Sequence, residues 1–600
     1  MWEVDRTTAV LRNTVTDADG DMANVTFEVY TVDANGEPKS QVDLTDDNPY
    51  GVLVSDYVAS GETAEVSVPY GKLKPGTNYL LHTSAYDGSL YETSWSPWSK
   101  FRTRDRAVDI TLPEPDKNAP KVNLADYQEP QEARSTVPNR SAQLSPETFE
   151  PSEDPQAAEK HCTTSPDGEQ MVCGFVGEPG GLTKQQTETV DKRLRSARAT
   201  DLVDWCTTSG TPAGKDWITR TEGCLKKRTP FYYQRHDLVN GKPVFRGRAL
   251  FASEIQFKLD QKSGTFQQQL AIVPIKFEDA QGGHRSWGNL QLTPNFTCSP
   301  ECDTSIASWD GLPTWETDNT DLHSAYATFT HKWTGVSDVT SMSFDWEIEG
   351  EFVGEPDREA QAVDLGSSAP DLNVRCDRVS STTPGCVYDA YTPTWVMNFK
   401  KYPAAVAHAW LIQSKLPNHP GSKAANKPML FLPKASKNAT NRDPDENRQV
   451  ICPDGWATAH GNPDATTVPE LTPNNSDQVS CDEFAYAATY NSGGMPAAEG
   501  GVNEVTSGDA CVQTYATRVT QGEWHLYDDV RAAAPTWTEV CGRSAMSRWM
   551  NSGSMAGFPG NFSAAGKFRL LDKDEYWVAF PEFAHCDASR ATVKCTVPKP

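Results

Sequence analysis

Apolar and polar residues alternate with a period of two over much of this chain. That is the spacing of a half-buried β-strand, in which successive side chains point to opposite faces. The alternation is clearest at 249–259, 265–277, 325–332 and 342–352. The first two runs flank Lys262-Ser263-Gly264, a turn-forming tripeptide, and so predict a hairpin. The tryptophans and phenylalanines of this region are expected to fill the core of a β-sandwich. Shorter alternating segments occupy 1–106, punctuated by Asp19-Gly20, Asn35-Gly36 and Pro75-Gly76, and predict another sandwich. Helical character is confined to 183–204 and to an apolar stretch at 402–415. The second helix is expected to dock the C-terminal region onto the central one, with His408 a buried core histidine.

Between these patterns, residues 107–160 are rich in Pro, Glu, Asp, Gln and Ser and carry no sustained apolar period. Such composition buries too little to fold and predicts an extended or disordered linker that lets its neighbours move independently. A chain of 600 residues exceeds what one core supports. The expected organisation is a sandwich at 1–106, the linker at 107–160, a β-rich central domain at 161–400, a helical connector at 401–435 and a small α/β domain at 436–600.

Charge narrows the partners. The net charge is −26, and residues 451–600 hold 18 acidic against 10 basic side chains. Non-specific attraction to phosphate backbones or anionic lipids is disfavoured, so any nucleic-acid contact must be local and transient. All fourteen cysteines lie at or after Cys162 and none forms a CxxC pair. Their even number, and the close spacings Cys162/Cys173, Cys206/Cys224, Cys298/Cys302, Cys376/Cys386 and Cys586/Cys595, predict disulfides in an oxidising compartment rather than zinc ribbons. Cys452, Cys481, Cys511 and Cys541 remain for the C-terminal region. No run of 18 apolar residues is present, so no membrane-spanning helix is expected. The expectation is an extracellular protein whose leader is absent from this chain.

Near the end, Cys481-Asp482-Glu483-Phe484-Ala485-Tyr486-Ala487-Ala488-Thr489-Tyr490 is closed by Gly493-Gly494. Downstream follow Cys541-Gly542-Arg543, Asn551 and the turn-and-strand run 568–578. In order and spacing this quarter of the chain resembles the NucA/NucB family of secreted bacterial deoxyribonucleases. The resemblance implies a unit related to the ββα-metal nucleases, an Asn of the Gly-rich helix as metal ligand, and DNA as transient substrate. Ala485 stands where the family has Pro, Asn491-Ser492 where it has Glu, and Met550-Asn551-Ser552 where it has Asp-Asn-Arg. At the other end, Leu73-Lys74-Pro75-Gly76-Thr77-Asn78-Tyr79 and Trp95-Ser96-Pro97-Trp98-Ser99 resemble the tyrosine corner and the WSxWS pattern of fibronectin type III modules. Arg102 and Arg104 are the basic side chains expected to stack on those indoles. Asp17-Ala18-Asp19-Gly20-Asp21 lacks EF-hand spacing and is expected to be a turn.

Phosphodiester hydrolysis needs an activated water, a cation on the phosphate and help for the leaving oxygen. Asp482 and Glu483, expected at the start of a short helix, supply carboxylates for Mg²⁺ or Mn²⁺ or for the water. Glu483 and Asn551 are the expected metal ligands, and Asp482, Glu483 and Arg543 the expected catalytic set. Arg548 and Arg569 are further phosphate candidates, and His460, His525 and His585 are local histidines able to act as base or acid. Two rivals stand beside the enzyme. One is an extracellular or cell-surface binding scaffold with a degenerate, inactive nuclease fold, its N-terminal domains holding a surface or protein ligand. The other is a nuclease toxin matched by a neutralising inhibitor protein.

Overall fold

The computed structural model describes residues 2–133, 162–196, 202–207, 210–280, 290–310, 322–352, 361–461, 477–520 and 522–599. The chain is β-rich and multi-sheet, with few helices. It divides into two compact units: Met1–Asn123 with Trp395–Phe558 and Glu575–Pro600, and Leu124–Thr394 with Pro559–Asp574. These boundaries differ from the expected linear series, because both units are assembled from segments far apart in sequence.

The first unit opens with two small sheets. One orders the strands Trp2–Val4, Ser99–Thr103, Asn78–Tyr86, Asn24–Val32 and Pro38–Gln41, and the other pairs Val10–Thr14 with Thr63–Ser67. Their inward positions, among them Leu11, Val25, Phe27, Val29 and Tyr79, share one core. At the corner the Tyr79 hydroxyl accepts the Lys74 backbone N–H at 2.7 Å, the upstream bond expected of this tyrosine. The expected arginine stacking is replaced by histidine. The His82 ring lies between Trp95 and Trp98 at centroid distances of 4.2 and 3.8 Å, while Arg102 pairs with Asp105 at 3.0 Å. Glu28, directly opposite in the neighbouring strand, holds His82 Nε2 at 3.0 Å and so fixes the imidazole between the indoles. Asp17 folds its own loop by accepting the N–H groups of Asp19 and Asp21, a turn as expected.

A six-stranded mixed sheet lies in the same unit. Its strands, numbered along the chain, are β1 (Val108–Pro113), β2 (Val479–Phe484), β3 (Val512–Thr520), β4 (Glu523–Asp528), β5 (Gly542–Ser547) and β6 (Val593–Thr596), and they lie in the order β2-β5-β3-β4-β1-β6. The helices on it are α1 (Pro403–Lys415), α2 (Pro444–Ile451), α3 (Trp456–His460) and α4 (Arg548–Met555). Strand β1 comes from the stretch expected to be linker. Val108, Ile110 and Leu112 alternate with polar residues and are buried between β4 and β6. A short alternation beside Pro- and Glu-rich sequence was outweighed by composition, yet three apolar residues suffice when both strand edges find partners. The expected linker also contains Gln131–Ala133, a strand paired with Asp216–Ile218 in the second unit, and its residues 134–160 lie outside the described set.

Buried contacts tie the N-terminal sandwich to this sheet. Arg6 is buried, pairs with the buried Asp528 and donates to the backbone oxygens of Asp529 and Ala532. Asp528 also accepts the Val108 N–H at 3.0 Å. Helix α1 crosses the same sheet, apolar around nearly its whole circumference and buried from Pro403 to Gln413. It approaches so closely at Gly542 that any Cβ there would collide with Ile412 and His408.

In the second unit, the long strands Glu222–Val239, Lys242–Lys258 and Thr265–Asp279 anchor a nine-stranded sheet that shares its core with a five-stranded one. The hairpin around 262–264 forms as expected, and the helix expected at 183–204 is described over Lys184–Ser196. Residues Pro559–Asp574 belong to this unit, although sequence placed them in the C-terminal domain. Their charges explain it: Arg569 pairs with Asp377 at 2.6 Å, and Asp574 takes Arg220 at 2.7 Å and Arg375 at 2.6 Å, all buried. Removing either partner would strand an uncompensated charge.

All fourteen cysteines are paired. The five close pairs form as spaced, and the other four join as Cys452–Cys481 and Cys511–Cys541. Among the described residues, no helix is long and apolar enough to cross a membrane.

Two outcomes follow from this architecture. A chain beginning at residue 114 lacks β1 and exposes the edges of β4 and β6, so it should lose cooperative folding; a monodisperse product with a sharp thermal transition would contradict the shared sheet. His408 is fully buried and burial pushes its imidazole down to about 3. A group whose folded value is depressed carries stability that is present above its unfolded value of ~6.5 and is lost as pH falls toward the folded value, at up to about 1.4 kcal/mol per pH unit. Chemical unfolding between pH 7 and pH 4 should show this slope, and His408→Gln should flatten it.

Candidate functional site

The Asp482-Glu483 pair lies in β2, not at a helix start. Phe484, Ala485 and Tyr486 are all buried, and a strand flanked on both faces, by α1 and by α2 with α3, can take an apolar-rich run that also suits a helix. The consequence is geometric. Neighbours in a strand point to opposite faces, so the two carboxylates separate.

Glu483 faces α2. Arg448 of that helix donates from Nε to its Oε1 at 3.1 Å and forms an ion pair with it, Nη2 lying 3.0 Å from the same oxygen. Directly opposite in β5 is Arg543, which sequence placed on the phosphate. It is buried instead: it donates to Ile451 O at 3.1 Å and Gln513 Oε1 at 2.9 Å, pairs with Asp509, and lies 4.2 Å over the Trp456 ring. Arg543 is therefore a packing cation, correcting its expected catalytic role. Arg569 is likewise consumed by Asp377 in the other unit. Arg548 alone of the three candidates is exposed, in the first turn of α4.

Asp482 faces the other way. It shares that face with Ser480 and with Ser544, its direct partner across the β2/β5 pair. β5 runs straight into α4, capped by Ser547 Oγ on the Met550 N–H at 3.2 Å, so the local order is strand, antiparallel strand, helix. From α4, Asn551 Nδ2 donates to Cys481 O at 2.6 Å and Ser480 Oγ at 2.9 Å. With its nitrogen held twice, the amide oxygen is directed away from those partners. Asn551 thus shares a face with Asp482 and not with Glu483, which separates the expected Glu483–Asn551 ligand pair.

Both carboxyls are about 95% buried, with exposures of 6% for Asp482 and 5% for Glu483. Burial raises both above the ordinary carboxylate range. For Asp482 the rise is large, with Glu483 adding to it and Arg448 opposing it. Among the described residues Asp482 receives only a backbone N–H from Glu483 and no side-chain donor. Arg448 pairs with Glu483 and leaves Asp482 without a side-chain partner among the described residues, and Asn551 of α4 lies on the Asp482 face of β2. A carboxylate with an amide oxygen suits a hard divalent cation.

The other clusters with ligating atoms fit no metal. Cys298, Cys302 and His331; His585, Cys586 and Cys595; and Cys206, Cys224 and Glu254 each contain both halves of a disulfide. The three candidate histidines are engaged elsewhere: His460 Nδ1 with Asp529 at 2.7 Å, His525 Nδ1 with Asp109 at 2.9 Å, and His585 Nε2 with Thr596 O at 3.1 Å. Arg448 belongs to no motif that the sequence alone displays. Its signal was Cys452–Cys481, which staples the end of α2 beside Asp482.

Neither a protein-family model nor a curated protein matches this chain. Among solved structures, the GAE domain of yeast GGA1 aligns at 11% identity and a TM-score of 0.11, covering 19% of this chain and 89% of that one. E. coli alpha-2-macroglobulin aligns at 12% identity and a TM-score of 0.12, covering 60% of this chain and 21% of that one.

A raised folded-state value means that Asp482 supports the fold below its unfolded value of ~3.9 and weakens it as pH rises. At neutral pH, without divalent cations, Asp482→Asn should therefore raise Tm, by roughly 2–4 °C for each kcal/mol relieved. An unchanged or lower Tm in chelator would show that the carboxyl is not strained by burial.

Proposed function

We propose that this protein is a metal-dependent endonuclease acting on DNA, with its site on the Asp482 face of the β2-β5-α4 unit. The observation that supports it is the buried, uncompensated Asp482 beside an Asn551 whose amide nitrogen is held by β2. The resemblance of the Cys481–Tyr490 segment to NucA/NucB enzymes supplies the reaction class.

Asp482 and the Asn551 amide oxygen would hold Mg²⁺ or Mn²⁺, which when bound neutralises charge on the phosphate and acidifies water. The chain's own residues do the rest. With the cation bound, Asp482 would be ionised, and its carboxylate would orient the attacking water. Asn551 is oriented before substrate arrives, because Ser480 Oγ and Cys481 O fix its nitrogen. Arg548 lies three residues before Asn551, hence on the same side of α4, and replaces Arg543 as the guanidinium that meets the phosphate. Glu483, on the far face with Arg448, acts only through its charge on Asp482. The acidic surface fits a brief encounter with DNA rather than tight binding. The seven disulfides fit an extracellular setting.

The deciding assay is cleavage of supercoiled plasmid with Mg²⁺ or Mn²⁺, with and without chelator. Wild type should nick and linearise DNA only when the metal is free. Asp482→Asn and Asn551→Ala should each lower turnover by about 10²–10³-fold, the usual loss for a preorganised transition-state group. Glu483→Gln should stay within about tenfold of wild type. DNA left intact by excess enzyme in every metal would replace this reading with that of a binding scaffold.

A further inference from the structure

The nuclease reading uses Asp482 and Asn551 but leaves one buried group on their face unexplained. Ser544 stands directly opposite Asp482 in the antiparallel β2/β5 pair. Directly opposed residues project from the same face with Cβ atoms about 4.5–5.5 Å apart. Ser544 is fully buried, and among the described residues its hydroxyl has no hydrogen-bond partner. A hydroxyl in that position has two easy ways to be satisfied, the Asp482 carboxyl and a neighbouring backbone oxygen, and it bonds to neither. A buried hydroxyl without a partner destabilises the fold, whereas alanine at the same position would not. Asp482, equally without a side-chain donor, projects from the same face.

An unbonded hydroxyl and a carboxyl that accepts one backbone N–H share a buried face, bordered by an amide whose nitrogen is held by β2, and together they suit a small oxygen-seeking species. We propose that Ser544 Oγ is the third oxygen of this site and holds a hard divalent cation, or the water bound to it, against Asp482. The inference rests on the nuclease reading and deepens it. A neutral hydroxyl adds no charge, so Ser544 is a positioning residue: it fixes where the bound species sits relative to the Asp482 carboxyl. Carboxylate, amide oxygen and hydroxyl are all hard ligands, which suits Mg²⁺ and Mn²⁺ over softer ions. The same features predict opposite results for the alternative. A serine that is merely a packing defect would be improved by alanine and would leave metal binding alone.

The experiment is a Mn²⁺ titration of the full chain without DNA, followed by electron paramagnetic resonance, with thermal unfolding of the same samples. Wild type, Ser544→Ala, Ser544→Thr and Asp482→Asn are compared. Asp482→Asn should abolish the site. Ser544→Ala should weaken Mn²⁺ binding by about 10–100-fold, the usual loss when a group orienting a metal site is removed. It should also raise Tm in chelator and shrink the Tm gain caused by Mn²⁺. Ser544→Thr, which keeps the hydroxyl, should stay within about threefold of wild type. Unchanged Mn²⁺ affinity in Ser544→Ala overturns the inference while Asp482-dependent binding survives, and so does equal weakening in the threonine variant. If Asp482→Asn also binds Mn²⁺ like wild type, the metal site itself is refuted and this inference with it.

Discussion

Strand β1 holds the first unit together, because its two neighbours in the sheet come from residues more than 400 and 480 positions later in the chain. A strand with both edges paired has no solvated backbone to fall back on, so its loss would expose two rows of unpaired N–H and C=O groups. The Arg6–Asp528 contact sits at the end of this strand and shares Asp528 with the Val108 N–H. One buried carboxylate therefore fastens the N-terminal sandwich, the strand after it and the end of β4. Such a junction transmits the loss of any one member to the others.

The candidate site depends on that sheet at one remove. Strand β5 is held between β2 and β3, and α4 follows it without a loop, so the pairing register fixes where Asn551 meets Cys481. A slip of one residue would exchange the faces of Asp482 and Glu483. Cys452–Cys481 and Cys511–Cys541 pin the starts of β2 and β3 to their neighbours and oppose such a slip. A buried carboxyl without a side-chain partner and an unbonded buried hydroxyl both weaken the fold at this point.

The resemblance at Cys481–Tyr490 and the structure bear on different statements. The resemblance names a reaction and marks Asp482 and Asn551. In the structure Asn551 bonds to Ser480 and Cys481, the two residues before Asp482, and the Arg543 side chain is buried among Ile451, Gln513 and Trp456. The structure also brings forward Arg448, Arg548 and Ser544, whose relation to the carboxylates depends on contacts between separate elements.

Local pattern determined what local physics controls. The two-residue alternation gave the long strands and the hairpin at 262–264, the turn chemistry gave the Asp17 loop and the Tyr79 corner, and cysteine spacing gave five of the seven disulfides. Each needs only neighbours within about 20 residues. Tertiary structure decided the rest: that 108–113 is a central strand, that 559–574 belongs with 124–394, and that Asp482 and Glu483 face apart. A six-residue alternating segment has no fixed fate until a sheet edge is offered to it, and an adjacent carboxylate pair has no shared direction until the backbone is strand or helix. Partners hundreds of residues away made both choices, and no window of sequence contains them.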